Sequence, residues 1–332
     1  AIRIMIPTLR ISYGRGSLGR LGYPTMDVQS GAALPLFWSE DYWRTNSQRS
    51  LREIEIRCSH GSIIYSSISS DRVSVPGKAT FGGWWPLTAS FQPVAVYEQM
   101  FRNLLAEKPA KSWEFTLPPE HFHPEVFLPQ RAALENLGGR VVCDINSTII
   151  LRDLGEGGDT TNFSRGNRKR VRAFLERGGI VSPAQPHQVH EAYDLLAQNR
   201  SRRGVSLSLT PQEFQTLLRT LPDIYSLWVA RLDDELVGAA FLVELSTDVS
   251  YVLFWGDSLT GREVSVTAAI CLFLQETLFR GGKSFLDLGI SSVAGIADAG
   301  LLKFKQNLGA ISFDQPRINF SRTDVLQLRR TL

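Results

Sequence analysis

The sequence contains few cysteines, and their placement argues against two classes of protein. Only Cys58, Cys143 and Cys271 occur in 332 residues, and they are far apart and odd in number. A disulfide-rich secreted domain carries an even set of cysteines, and a zinc site needs paired ligands a few residues apart. We therefore expect reduced thiols in a protein core, no bound metal, and the cytoplasm as the compartment.

A long apolar run is also missing. The longest candidate, residues 264–279, is shorter than the ~20 residues that cross a bilayer and contains Gln275 and Glu276. The segment Ala1–Pro7 is apolar only briefly and has neither the apolar core nor the cleavage site of a signal peptide. We expect a chain without an integral membrane segment, long enough for two domains of roughly 150 residues each.

Acidic residues are scarce in one stretch of an otherwise balanced chain. The formal net charge is only +3, yet residues 162–203 include nine basic residues and three acidic ones. The basic residues are Arg165, Arg168, Lys169, Arg170, Arg172, Arg177, Arg200, Arg202 and Arg203. Such a dense cluster predicts a polyanionic or phosphate-bearing partner. The alternative is a solvated helix face that binds nothing.

The C-terminal half alternates between strand-like and helix-like patterns. Three β-rich runs precede an apolar stretch that is too long for a strand and ends at Gly281-Gly282, which is typical of a buried helix. The predicted elements are strands at Tyr225–Arg231, Val237–Leu245 and Ser250–Trp255, a helix at Val264–Phe279 and a strand at Ser284–Leu288.

The N-terminal half repeats this order of elements. Its predicted elements are strands at Glu53–Arg57, Ser62–Ile68 and Ala79–Phe81, a helix at Val94–Ala106 and a strand at Lys111–Leu117. The matched spacing of turn, helix and strand predicts an internal duplication. The predicted fold class is α/β of the α+β kind, with two similar domains that each have a mainly antiparallel mixed sheet flanked by helices.

The predicted domain boundary lies near Asn146–Asp159, which includes a glycine-rich loop. The domains would then span residues 1–150 and 151–332. After the loop, the basic cluster begins a helix at about Asn167. A further helix is predicted from Thr210, because a threonine N-cap followed three residues later by glutamate forms a capping box.

A recognisable pattern lies towards the C-terminus. A strand ending in Asp287-Leu288-Gly289 is followed by a loop and by the segment Gly300–Gly309, in which the pair Phe304-Lys305 precedes a glycine. This pattern resembles the FemABX-like enzymes, a branch of the GNAT acyltransferase superfamily. The resemblance covers residues 162–320, and the first half only in element order. It implies two GNAT-like domains, the first degenerate and on the acceptor side, the second carrying the active site.

The resemblance implies transfer of an acyl or aminoacyl group to an amine. Fem-type enzymes use aminoacyl-tRNA to extend the peptide of a peptidoglycan precursor in the cell envelope, while other relatives use acyl-CoA. The pyrophosphate-binding loop of acyl-CoA enzymes is missing ahead of the long helix, where Asp257–Glu263 stands. We therefore expect an aminoacyl-tRNA donor, no separate cofactor, and an acceptor that is a small amine or a nucleotide-sugar or lipid-linked precursor. The alternatives are an acyl-CoA donor and a non-catalytic module that binds RNA or protein.

Two residues carry the predicted chemistry. On a helix that starts at Leu301, Lys305 falls on the apolar stripe whereas Lys303 does not. The resemblance assigns Lys305 to stabilising the tetrahedral anion of acyl transfer. The alternative is a lysine that extends its ammonium to water at the edge of the stripe. Asp287, on a central strand, could act as general base, or could be a buried carboxylate satisfied by the main chain.

Further residues are predicted to bind the substrates. The aromatic ones could line an acyl slot or an acceptor platform, and the basic ones could hold donor phosphates. For each aromatic residue the alternative is simple core packing, and for Trp84 and Trp85 it is packing between the domains. The predicted substrate-binding residues are Phe304, Tyr251, Trp255, Trp84, Trp85, Arg168, Lys169, Arg172, Arg202 and Arg203.

Overall fold

The computed structural model describes residues 10–13, 36–38, 42, 52–58, 62–69, 71–76, 79–86, 92–107, 110–153 and 163–330. The strands in these ranges are β1 (Arg10–Tyr13), β2 (Arg52–Cys58), β3 (Ser62–Ser69), β4 (Arg72–Val75), β5 (Trp85–Pro86), β6 (Ser112–Thr116), β7 (Arg140–Ile150), β8 (Ile180–Pro183), β9 (Tyr225–Leu232), β10 (Glu235–Glu244), β11 (Val249–Asp257), β12 (Phe285–Ile290), β13 (Ser292–Val293), β14 (Ile296–Ala297) and β15 (Ile311–Phe320). The helices are α1 (Val94–Glu107), α2 (Pro124–Asn136), α3 (Arg165–Glu176), α4 (Val189–Ser201), α5 (Pro211–Thr220), α6 (Leu259–Glu263), α7 (Val266–Arg280), α8 (Ala299–Gln306) and α9 (Arg322–Arg330).

The chain divides into two compact units, and β7 contributes to both. Unit 1 comprises the described residues up to Ile145, residues 294–296 and those from Phe313 onward, and unit 2 comprises Asn146–Val293 and Ala297–Ser312. The division thus falls within a strand, and residues 154–159 of the predicted linker lie outside the described ranges. The last residues return to unit 1 because β15 pairs with β6, a long-range pairing that local patterns do not reveal.

Unit 1 contains a mixed sheet. The hairpin predicted from the first half is confirmed, since β2 and β3 pair antiparallel with Ile56 opposite Ile64. β4 and β6, connected through α1, run parallel with Val73 opposite Trp113. The strand predicted at 79–81 is wrong: these residues form no strand, although Phe81 is buried in the aromatic core. An apolar residue can be buried from a loop, and the third strand of this series is β4.

Unit 2 contains the sheet order β7-β12-β11-β10-β9-β8. Neighbouring strands run antiparallel except β11 and β12, which run parallel and are connected through α7. Both units therefore contain antiparallel strands, then a crossover helix and a parallel strand, in the predicted element order apart from the strand at 79–81. This shared order supports the predicted duplication and matches the predicted fold class.

Helices cover both faces of the unit 2 sheet. A Cβ on Gly238 would meet Val266 of α7, whereas a Cβ on Gly256 would meet Asn199 of α4. Since Gly256 pairs with Ala239, the neighbour of Gly238, these two helices pack on opposite faces. α3 packs on the α7 side. No helix in the described ranges is long and apolar enough to cross a membrane.

Two predicted helices are confirmed at their ends. α5 begins with Thr210, whose hydroxyl accepts from the Glu213 amide while the Glu213 carboxylate accepts from the Thr210 amide. This is the capping box read from the sequence. α7 ends at Gly281, and Gly282 follows with φ of 79°, the left-handed conformation that glycine adopts without strain.

Candidate functional site

The strands β11 and β12 separate after only three paired residues. Their pairing runs from Val249 opposite Phe285 to Tyr251 opposite Asp287, after which β11 continues to Asp257. Since the two strands are parallel, the gap opens between their carboxyl ends. Main-chain groups along such a gap are able to bind an extended ligand as a strand would. The separation therefore forms a candidate binding cleft at Tyr251 and Asp287.

Asp287 lies at the start of this cleft in a hydrogen-bonded network. Its side chain is only 1% exposed. Its Oδ1 accepts from the Gly289 amide at 2.7 Å and from Nδ2 of Asn146 at 2.9 Å, and Thr148 Oγ1 donates to Asn146 Oδ1 at 2.7 Å. Burial raises the pKa of Asp287 to about 6, against the opposing effects of these donors and of the Lys305 charge. A carboxylate with a pKa in this range can exchange a proton near neutral pH.

Lys305 holds the turn that follows Asp287. Its Nζ donates to the carbonyl oxygens of Gly289 and Ile290, each at 2.8 Å, and its side chain is 2% exposed. The burial predicted from the helical stripe is therefore confirmed, and the alternative of an ammonium extended to water is wrong. Desolvation lowers the pKa of Lys305 to about 8, with Asp287 and Asp298 acting in the opposite direction.

The predicted aromatic residues of the cleft lie close to this network. Trp255 and Phe304 pack edge to face with ring centroids 5.6 Å apart, and both are half-buried against the core of unit 2. Tyr251 faces the turn at Gly289, where an added Cβ would lie 3.1 Å from the tyrosine hydroxyl. The structure thus brings Tyr251, Trp255, Phe304 and Lys305 together around the carboxyl ends of two strands. Their roles in substrate binding remain predictions.

The tryptophans of unit 1 have different environments. Trp84 is fully buried and packs against Phe101. Its main-chain N–H donates a hydrogen bond to Gln130 Oε1, and its carbonyl oxygen accepts one from Gln130 Nε2. This geometry favours core packing over an acceptor platform for Trp84. Trp85 is half-buried, with its ring centroid 5.3 Å from that of Trp38. A platform role, if present, would therefore rest on Trp85.

The predicted basic residues fall into two separate groups. Arg168, Lys169 and Arg172 are exposed on α3, which buries Val171 and Phe174 in the core on the α7 side of the sheet. In contrast, Arg202 and Arg203 follow α4, which packs on the opposite face of the sheet. Both of these residues are exposed. The structure does not join the two groups into one phosphate site.

The segment where a pyrophosphate loop would stand is already occupied by protein contacts. The Asp257 carboxylate accepts from Asn199 at 2.7 Å and from Arg262 at 3.2 Å. The first residues of α7 are buried, with Val266 and Ala269 fully inaccessible. The amide groups at a helix start bind phosphate only where solvent and ligand can reach them. The expectation of a donor other than CoA stays a prediction.

Two polar residues of the site were not found from the sequence. Asn146 and Thr148 were assigned to the domain boundary, yet both are buried in β7 beside Asp287. The available signal was the run Asn146-Ser147-Thr148 ahead of two isoleucines, since three polar residues inside a β-branched strand need buried partners.

A substitution at Gly289 tests how tightly the turn is built. Gly289 has φ of 77°, and a Cβ there would approach the Tyr251 hydroxyl to 3.1 Å. We expect Gly289→Ala to lower the free energy of unfolding by about 1–3 kcal/mol through backbone strain and crowding. Chemical denaturation would measure it. Gly282→Ala, also at positive φ but with open space around it, isolates the backbone contribution.

No protein-family model and no curated protein matches the sequence. Among solved structures, FemX aligns with a TM-score of 0.62 at 12% identity, covering 91% of this chain and 96% of FemX. The C-terminal domain of a putative lysylphosphatidylglycerol synthetase from Agrobacterium fabrum aligns with a TM-score of 0.53 at 13% identity, covering 81% and 84%. L-PGS from Bacillus licheniformis gives 0.53 at 14% identity, covering 83% and 88%. The chain therefore has a fold similar to that of FemX, in agreement with the fold that the segment 287–309 predicted.

Proposed function

We propose that this chain transfers an acyl or aminoacyl group to an amine acceptor in the cleft between β11 and β12. The observation that carries the proposal is a buried Asp287 and a buried Lys305 at the point where the two parallel strands separate. Oppositely charged groups with displaced pKa values, held in a cleft, are typical of acid–base sites. The transferase-like fold supports the reaction class.

The residues suggest how the reaction would proceed. The amine nitrogen forms a bond to the carbonyl carbon of the donor ester, and the resulting tetrahedral anion collapses by breaking the bond to the donor oxygen. Asp287 would accept the proton that the amine loses, and this proton would pass to the departing oxygen. Lys305 would stabilise the anion, either directly or by polarising the peptide groups of the turn whose carbonyls it binds.

We favour an aminoacyl-tRNA donor over acyl-CoA. The buried start of α7 and the paired Asp257 speak against a CoA phosphate site. The cations of α3 are exposed, and no carboxylate in the described part of the chain forms an ion pair with them. The Agrobacterium neighbour is named a lysylphosphatidylglycerol synthetase, which agrees with an aminoacyl group. The acceptor would be an amine on a cell-envelope or sugar-linked precursor, and the reaction would be cytoplasmic.

A differential stabilisation experiment separates the candidate donors. The melting temperature would be measured with charged tRNA, acetyl-CoA, a long-chain acyl-CoA and a UDP-sugar. We expect charged tRNA to raise it, and transfer of a labelled aminoacyl group to follow with an amine acceptor. A melting temperature raised by a CoA ester but not by tRNA would contradict the proposed tRNA donor and identify acyl-CoA as the donor.

Neutralising α3 tests the polyanion surface. We expect the triple variant Arg168→Gln, Lys169→Gln and Arg172→Gln to weaken the binding of different tRNAs by a similar factor, because phosphate contacts do not depend on nucleotide sequence. Losing three phosphate contacts would make the plot of log binding constant against log salt concentration shallower, reducing the magnitude of its negative slope by about 2 to 3. The matched control is Arg140→Gln, Arg219→Gln and Arg322→Gln, three exposed arginines elsewhere with the same charge change. RNA binding that depends on α3, with no turnover from any donor, would instead identify a non-catalytic binding module.

A further inference from the structure

The hydrogen-bonded pair of Thr148 and Asn146 reaches Asp287 from the neighbouring strand. We infer that Asn146, held by Thr148, is a positioning residue that determines which carboxylate oxygen of Asp287 faces the reaction. This inference rests on the proposed function, because Asp287 is its proposed base. It concerns β7, which lies on the side of β12 away from the cleft strand β11.

The pairing between β12 and β7 contains one extra residue at this point. Asp287 lies opposite Thr148 and Ile290 opposite Asn146, so three steps along β12 match two along β7. An extra residue of this kind is a β-bulge, which redirects the main chain and is common beside active sites. Gly289 lies in the bulge with φ of 77°, and its amide turns back to Asp287 Oδ1. Thr148 lies opposite Asp287, and Asn146, two residues away on β7, is on the same face of the sheet, so its amide reaches Asp287 diagonally.

The amide of Asn146 has one favourable orientation. Its Oδ1 accepts from the Thr148 hydroxyl and its Nδ2 donates to Asp287, and the three side chains are at most 1% exposed. Rotating the amide by half a turn would set its oxygen against the carboxylate and its NH2 against the hydroxyl. A carboxylate oxygen cannot donate whereas a hydroxyl can donate or accept, so the Asp287 carboxylate sets the orientation of the Asn146 amide and Thr148 holds its Oδ1 in place.

The consequence is an asymmetric carboxylate. Both donors, the Gly289 amide and Asn146 Nδ2, bind Oδ1, and no donor in the described part of the chain binds Oδ2. Oδ2 is then the oxygen left to take a proton from the substrate. The charged group acting on this carboxylate is Lys305 from α8, and Tyr251 lies opposite on β11. Asn146 thus orients the base without contacting the substrate.

Substitution of Asn146 and Thr148 provides the test. We expect Asn146→Ala to raise the pKa on the acid limb of kcat/KM by about one pH unit, because a donor to the charged form is lost. At pH values below this limb, kcat/KM would fall by roughly tenfold, which corresponds to one pH unit. Thr148→Val should change both in the same direction but less, and Thr148→Ser, which keeps the hydroxyl, should restore them.

Ser147 provides the matched control. It lies between the two residues, is buried, and its hydroxyl bonds to Ser291 Oγ at 2.8 Å. Ser147→Ala should lower the melting temperature without moving the acid limb. If Asn146→Ala behaves in the same way, Asn146 is merely structural and the inference is overturned.

A second readout does not depend on turnover. The carboxyl carbon of Asp287 would be followed by NMR in protein labelled at aspartate, and assigned with Asp287→Asn. We expect the pKa of Asp287 to rise in Asn146→Ala and, by a smaller amount, in Thr148→Val. In Thr148→Ser, which keeps the hydroxyl, we expect the wild-type pKa. An unchanged pKa overturns the positioning role even if the wild-type protein proves active. A shifted pKa in a protein with no transfer activity would instead contradict the proposed function alone.

Discussion

Replacement of Lys305 by methionine should reduce kcat of the transfer reaction by about 10² to 10³-fold. Methionine keeps the apolar stem in the core but removes the cation, and the loss of one anion-stabilising group has effects of this size. The unfolding free energy should also fall by about 1–3 kcal/mol, because the carbonyls of Gly289 and Ile290 lose their buried donor. Single-turnover transfer assays and chemical denaturation would measure the two effects.

Lys303 is the matched control for this experiment. It lies on the same helix two residues earlier, and its side chain is exposed. We expect Lys303→Met to leave both activity and stability nearly unchanged. A Lys305→Met protein that retains full transfer activity while melting earlier would assign Lys305 a purely structural role as the donor that closes the Gly289 turn.

Replacement of Asp287 by asparagine should reduce transfer by about 10² to 10⁴-fold, as expected for loss of a general base. In the wild-type protein, the rate should fall as pH decreases through about 6, where the Asp287 carboxylate takes up its proton. The residual rate of Asp287→Asn should lack this limb. A variant that keeps the wild-type pH profile would show that another group provides the base.

The same substitution has an unusual expected effect on stability. The pKa of Asp287 is raised in the folded state above its ordinary value of 3.8. Its contribution to stability is therefore full below pH 3.8 and is lost as pH rises through about 6. Asparagine can accept the same two hydrogen bonds without a charge. We expect Asp287→Asn to unfold no earlier than the wild type at pH 8, which separates lost chemistry from lost folding.

Local patterns were sufficient for the ends of two helices in unit 2. The capping box at Thr210 and the glycine end of the helix 266–280 appear in the structure as predicted. Caps and helical periodicity depend on residues within a few positions of each other, so the sequence determines them directly. The same reasoning identified Lys305 on a buried stripe, because positions four apart on a helix share a face.

Pairings between distant segments were beyond such patterns. The return of β15 to unit 1 and the division of the chain within β7 depend on hydrogen bonds between segments far apart in sequence. The burial of Trp84 likewise depends on Gln130, 46 residues later. No local signal specifies these partners, since many strand pairings satisfy the same alternation of apolar and polar residues.

The sequence by itself determined the fold class, the run of three strands, a long helix and a strand at 225–290, and the placement of Asp287 and Lys305 on neighbouring elements near the C-terminus. Only the tertiary structure decided what surrounds them. Asn146 reaches Asp287 across 141 residues because β7 pairs with β12 with Thr148 opposite Asp287, which puts Asn146 on the same face of the sheet. Register and bulges arise from contacts between strands, and a difference of one residue changes which side chains meet.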